Sequence, residues 1–175
     1  MTWEGDQLSM EEQREKSYHV NMLVNLLLKY PEIYTITFNI PASSCRLSYM
    51  VKGQIGQDEC RELQQKLQEY LEAFYFFSRG EEPCRFKLLR NSYPGLTQIQ
   101  LCIRGQFPLD GVISLFTHVV REHFSNGLIT EFRRECEASF LAGELSDQST
   151  PAVPNRKVSR LFAFREAGRV YVFDK

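Results

Sequence analysis

The chain has 175 residues, 43% hydrophobic and 25% charged, with a net charge of −1 and a sequence pI of about 6.3. This balance places the chain in the globular class, not the disordered one, and gives no bulk charge for binding nucleic acid or membrane. The length suffices for one domain that needs neither disulfides nor a metal to hold its core.

Residues 1–15 are polar and acidic, unlike a secretion signal. The longest apolar run near them, Met22 to Leu28, is broken by Asn25 and falls far short of the roughly 20 residues of a membrane span. Five scattered cysteines without a C-x-x-C pair read as free thiols. The expectation is a cytoplasmic protein without a membrane partner, cofactor or metal.

Residues 10–30 read as a helix capped by Ser9, with Val20, Leu23, Leu27 and Tyr30 on one face and Pro31 ending it. A hairpin follows. Tyr34, Ile36, Phe38 and Ile40 alternate with polar residues. After the turn Pro41-Ala42-Ser43-Ser44, so do Cys45, Leu47, Tyr49 and Val51. Residues 57–78 form a second helix, whose stripe Cys60, Leu63, Leu67, Tyr70, Phe74 and Phe77 steps by 3 and 4. Leu71, Tyr75 and Phe76 widen the stripe, as for a helix lying on a sheet, with a subunit interface as the alternative.

A second hairpin turns at Ser92-Tyr93-Pro94-Gly95, with Cys84, Phe86 and Leu88 before it and Ile99, Leu101 and Ile103 after it. A third helix covers 108–124 and stops at Asn126-Gly127. A fourth is expected over 128–141. A linker then leads to a last hairpin, which turns at Glu166-Ala167-Gly168.

The segments Val51-Lys52-Gly53-Gln54-Ile55-Gly56-Gln57-Asp58 and Ile103-Arg104-Gly105-Gln106-Phe107-Pro108-Leu109-Asp110 align at an offset of 52. Each reads apolar, basic, Gly, Gln, apolar, two variable residues, Asp, at the junction of a hairpin and a helix. An internal ββα duplication is inferred, with units at about 33–79 and 84–125. The expected fold class is α+β: an antiparallel sheet of four to six strands with helices on one face, in the order αββαββαα-ββ. Residues 1–143 form the core domain, 144–157 a flexible linker, and 158–175 a hairpin packed on its own sheet or on a partner.

Charge is unevenly distributed. No Asp or Glu occurs over 33–57 or 83–109, and Arg46, Lys52, Arg85, Lys87, Arg90 and Arg104 fall in those stretches. By alternation all but Arg90 point away from the core. These five form a candidate site for an anion or single-stranded nucleic acid. The competing reading is an ordinary solvated face whose charges discourage aggregation. No aromatic residue for base stacking is evident on that face; Met50 is its one large apolar side chain.

His118 and Glu122, four apart, with His123 following, are too few for a metal site. Cys102 points outward but has no neighbouring histidine to activate it. No P-loop, dinucleotide-binding, nucleophile-elbow or zincin pattern occurs. Three functions follow. The first is a non-enzymatic interaction or regulatory module, self-associating as a homodimer or binding a protein partner. The second is an anion or single-stranded nucleic-acid binder using the basic face. The third is an enzyme with a dispersed site drawn from His118, Glu122 or Cys102.

Overall fold

A computed structural model describes residues 4–78, 83–106, 110–130 and 160–174. Helix α1 spans Glu4–Lys29, followed by strands β1 (Thr35–Asn39) and β2 (Ser44–Lys52), helix α2 (Gln57–Phe77), strands β3 (Arg85–Tyr93) and β4 (Leu96–Arg104) and helix α3 (Asp110–Phe124). A 3-10 turn, Ser125–Gly127, leads to the short strand β5 (Leu128–Ile129); β6 (Arg160–Glu166) and β7 (Arg169–Asp174) complete the described chain. The class is α+β, with three α-helices and seven antiparallel strands among the described residues.

Two sequence expectations about element bounds need correction. Helix α1 starts earlier than predicted, so Ser9 lies within it and does not cap it. Leu128 and Ile129 do not begin a fourth helix; they pair with Val51 and Met50 of β2. A short apolar run cannot signal helix or strand by periodicity alone, and the open edge of β2 decides. The rest of that predicted helix, and the linker over 144–157, lie outside the described residues.

The strand order is β3-β4-β2-β1-β6-β7, with β5 also on β2. Alternation sends Ile36, Phe38, Cys45, Leu47, Tyr49, Val51, Ile99, Leu101, Ile103, Leu161 and Ala163 to the helix side. There they meet Leu23 and Leu27 of α1, Leu63 and Leu67 of α2, and Ile113, Phe116 and Val120 of α3 in one core. A hydroxyl chain pins α3 to the sheet. Thr117 donates to the Ile113 carbonyl at 2.8 Å, which leaves its oxygen to accept the Tyr49 hydroxyl at 2.9 Å. Both side chains are fully buried.

The stripe on α2 drifts from its heptad. Cys60, Leu63, Leu67 and Leu71 are buried and Phe74 and Tyr75 half-buried, while Tyr70 and Phe77 face solvent. A straight helix falls behind a seven-residue repeat by about 20° per heptad, so a sheet-packed stripe moves off the seam.

Strands β2 and β4 lie side by side, with Ser44 opposite Arg104 and Lys52 opposite Leu96. Positions 52 apart are therefore symmetric about the Ser48–Gln100 pair. The turns obey the same relation. Gly53 N–H donates to the Gly95 carbonyl at 2.8 Å, and Gly105 N–H to the Ser43 carbonyl at 3.1 Å. Ser43 and Gly95 both sit at positive φ, 44° and 73°; at Gly95, which follows Pro94, this is what the third position of a type II turn requires. The two hairpins thus take equivalent places in the sheet, 52 residues apart in the chain.

Candidate cationic cleft on the outer sheet face

The face of the sheet turned away from the helices carries the alternate residues. Arg46 on β2 stands opposite Cys102 on β4, and Lys87 on β3 stands opposite Cys102 from the other side. Arg85 and Arg104 are directly opposite each other. With Thr37, Asn39, Ser44, Arg160 and Phe162 they line a cleft of about 500 Å³. Arg46, Arg85, Lys87 and Arg104 are solvent-exposed. Neither they nor Arg160 ion-pairs with any described residue. The acids of α2 lie across the sheet and cannot reach them. On the strands, the one acid of outward parity is Glu166, beside the β6–β7 turn.

Four of the five candidate residues therefore converge. Lys52 does not: it is opposite Leu96 at the other end of β2, six residues and about 20 Å from Arg46. Arg160, missed from the sequence, takes a place in the cleft because β6 pairs with β1 and sets Arg160 opposite Asn39. Arg90 has the inward parity expected, and its guanidinium donates to the Ile55 carbonyl at 2.6 Å.

The C-terminal hairpin brings aromatic rings to the same face. Thr37 pairs with Phe162 and Thr35 with Phe164, while β7 sets Phe173 opposite Phe162 and Tyr171 opposite Phe164. The Phe164 ring stacks on Tyr171 (centroids 5.3 Å, planes 19° apart) and on Phe173 (5.9 Å, 7°). One cross-strand row thus runs Phe173, Phe162, Thr37, Arg46, Cys102, Lys87. The face expected to lack aromatics receives four from this hairpin alone.

Not all of the outer face is solvated. Thr35, Ser48, Met50, Gln98 and Gln100 are buried. Thr35 donates to Ser48 at 2.8 Å, and Asn91 and Gln100 both donate to the Gln98 side-chain oxygen. Met50 packs with Tyr34, Tyr93, Leu96 and Ile129 in a second small cluster. Tyr34 breaks its expected alternation to join it, and Ile33 enters the main core instead. The cleft is the open, charged half of a face whose other half is closed.

The residues weighed for catalysis do not converge. His118 and Glu122 pair with each other at 3.3 Å on the exposed side of α3, whereas Cys102 lines the cleft across the sheet. No group of three metal-binding side chains occurs among the described residues. Cys45, Cys60, Cys84 and Cys102 are free thiols. Burial, with Cys102 nearby, pushes the Cys45 thiol up to about 12, so it stays protonated at neutral pH. No described helix is long and apolar enough to cross a membrane.

Among known proteins, no family model matches the chain, and no curated protein or solved structure matches it significantly.

Proposed function

We propose that the outer cleft binds a phosphate-bearing polyanion without chemically altering it. The observation that carries this reading is the Arg85–Arg104 pair. Two arginines sit directly opposite on neighbouring strands, flanked by Lys87 and Arg46, with no described acid paired to them. Like charges placed opposite each other destabilise a sheet. Positions that break a local rule in this way mark functional sites. A bound polyanion converts the repulsion into several charge-assisted hydrogen bonds, two of them from planar guanidinium forks suited to phosphate.

The test is calorimetric titration with inorganic polyphosphate about 15 units long. Binding is expected at 20 mM salt and should weaken steeply as salt rises, by a log–log slope of roughly −0.7 per phosphate engaged. The Arg85→Glu/Lys87→Glu variant should lose it. Absence of binding by the wild-type protein at 20 mM salt removes the reading.

Self-association has separate support in Phe76 and Phe77, which end α2 at 81% and 79% exposure beside exposed Tyr70. Light scattering should give a mass above the monomer for the wild type and a monomer for Phe76→Ser/Phe77→Ser. A wild-type monomer at high concentration counts against this second reading.

A further inference from the structure

We infer that the polyanion is a single-stranded nucleic acid, whose phosphates lie along the cationic cleft while its bases extend the ring stack of Phe164, Tyr171 and Phe173. This rests on the phosphate-binding reading above and adds the ligand's chemical class. A polyphosphate or an acidic peptide would need only the cations. It would leave unexplained why half-buried Phe164 and Tyr171 and 49%-exposed Phe173 stand on the same face.

Geometry supports the pairing of the two features. The row from Phe173 to Lys87 crosses six strands, about 24 Å at about 4.8 Å per spacing. That is long enough for several nucleotides in an extended strand. Aromatic rings at one end and cations at the other match the two surfaces of a single strand, which offers flat bases on one side and phosphates on the other. Phe164 is already parallel to both its neighbours, so the stack is ordered before a base arrives. Strand β7 is the last in the sheet order, so a base can add to the stack from its outer side without displacing a neighbouring strand. Ser44, Asn39 and Thr37 line the cleft between the two ends and supply neutral hydrogen-bonding groups for sugar and base edges.

The test compares three fluorescein-labelled 15-mers by anisotropy in 50 mM salt: oligo-dT, oligo-U and an abasic deoxyribose-phosphate strand of equal charge. Oligo-dT or oligo-U, or both, should bind the wild-type protein at least about fivefold more tightly than the abasic strand, since each stacked base contributes at least that factor. The tighter of the two identifies DNA or RNA as the source. Tyr171→Leu/Phe173→Leu should bring the base-containing strands down to the abasic affinity while leaving abasic binding unchanged. Retained abasic binding also shows that the variant is folded. Equal binding of all three strands by the wild type overturns the stacking inference and leaves the phosphate cleft standing. Binding of none overturns both.

Discussion

Removing a cation from the cleft should stabilise the empty protein, and Arg104→Gln is the sharpest way to see it. Arg104 stands opposite Arg85 and diagonal to Lys87, and both Arg104 and Arg46 line the cleft. Two guanidinium groups splayed to about 7 Å in water repel by about 0.6 kcal/mol, and two further cations at about 10 Å add about 0.4 kcal/mol each before screening. Screening brings the total to about 1 kcal/mol at 10 mM salt, about 0.5 kcal/mol at 0.15 M and about 0.1 kcal/mol at 1 M. For a chain of this size, about 1 kcal/mol shifts Tm by about 2–4 °C. Calorimetric melts of wild type and Arg104→Gln should therefore differ by about 3 °C in favour of the variant at 10 mM salt, and converge at 1 M. The same variant should bind polyphosphate less well, so that stability and binding move in opposite directions. A variant less stable than wild type at every salt concentration, or a gain that survives 1 M salt, refutes the argument that uncompensated repulsion is stored in the cleft.

Three other outcomes follow from the structure. Thr117→Val should cost about 1–3 kcal/mol in urea unfolding, because it strands the buried Tyr49 hydroxyl, and Tyr49→Phe about 1 kcal/mol, because Thr117 still donates to the Ile113 carbonyl; the double variant should cost clearly less than the two together, and strict additivity would mean that the hydroxyls are not bonded. The half-buried His123 imidazole is held below its usual range, chiefly by desolvation and then by Lys66, whose ammonium lies 3.2 Å from Nδ1. Because the unfolded chain takes up this proton first, stability is full above pH about 6.5 and falls as pH drops below it, until the folded imidazole also protonates; His123→Gln should flatten that part of the stability–pH curve, and an unchanged curve would remove His123 as its source. In a Cys136→Ser background at pH 8, a thiol reagent should modify Cys102 rapidly and reach Cys45, Cys60 and Cys84 only on unfolding, with polyphosphate slowing the Cys102 reaction; four equal rates would contradict the burial pattern.

Much of the architecture was legible in the sequence because two periodicities were strong. Strict alternation in 44–52 and 96–104 set Arg46 and Arg104 outward and Leu47 and Leu101 inward, as found. The same alternation was present in the last hairpin, where Phe162 and Phe164 interleave with Leu161 and Ala163. It could not be used, because parity within an isolated hairpin does not say which face of which sheet it will join. Only the Thr37–Phe162 register settles that, and with it the aromatic half of the candidate site. Lys52 was grouped with the others for the converse reason: parity fixes a face but not a distance along the strand. The burial of Gln98 and Gln100 carried no signal, since an alternating polar residue reads as solvated whether or not something covers it. The overlong α2 stripe shows the limit of counting spacings, since Tyr70 and Phe77 satisfied the heptad and still ended in water.

The seam between β1 and β6 joins residues 125 positions apart, as the Thr37–Phe162 pair shows. The cationic half of the face, by contrast, comes from two hairpins closed by short turns. Contacts that close long loops form late. On the proposed reading, a refolding chain would gain its attraction for phosphates before the rings that tell a base from an empty sugar, and selectivity would arrive only when the final two strands dock.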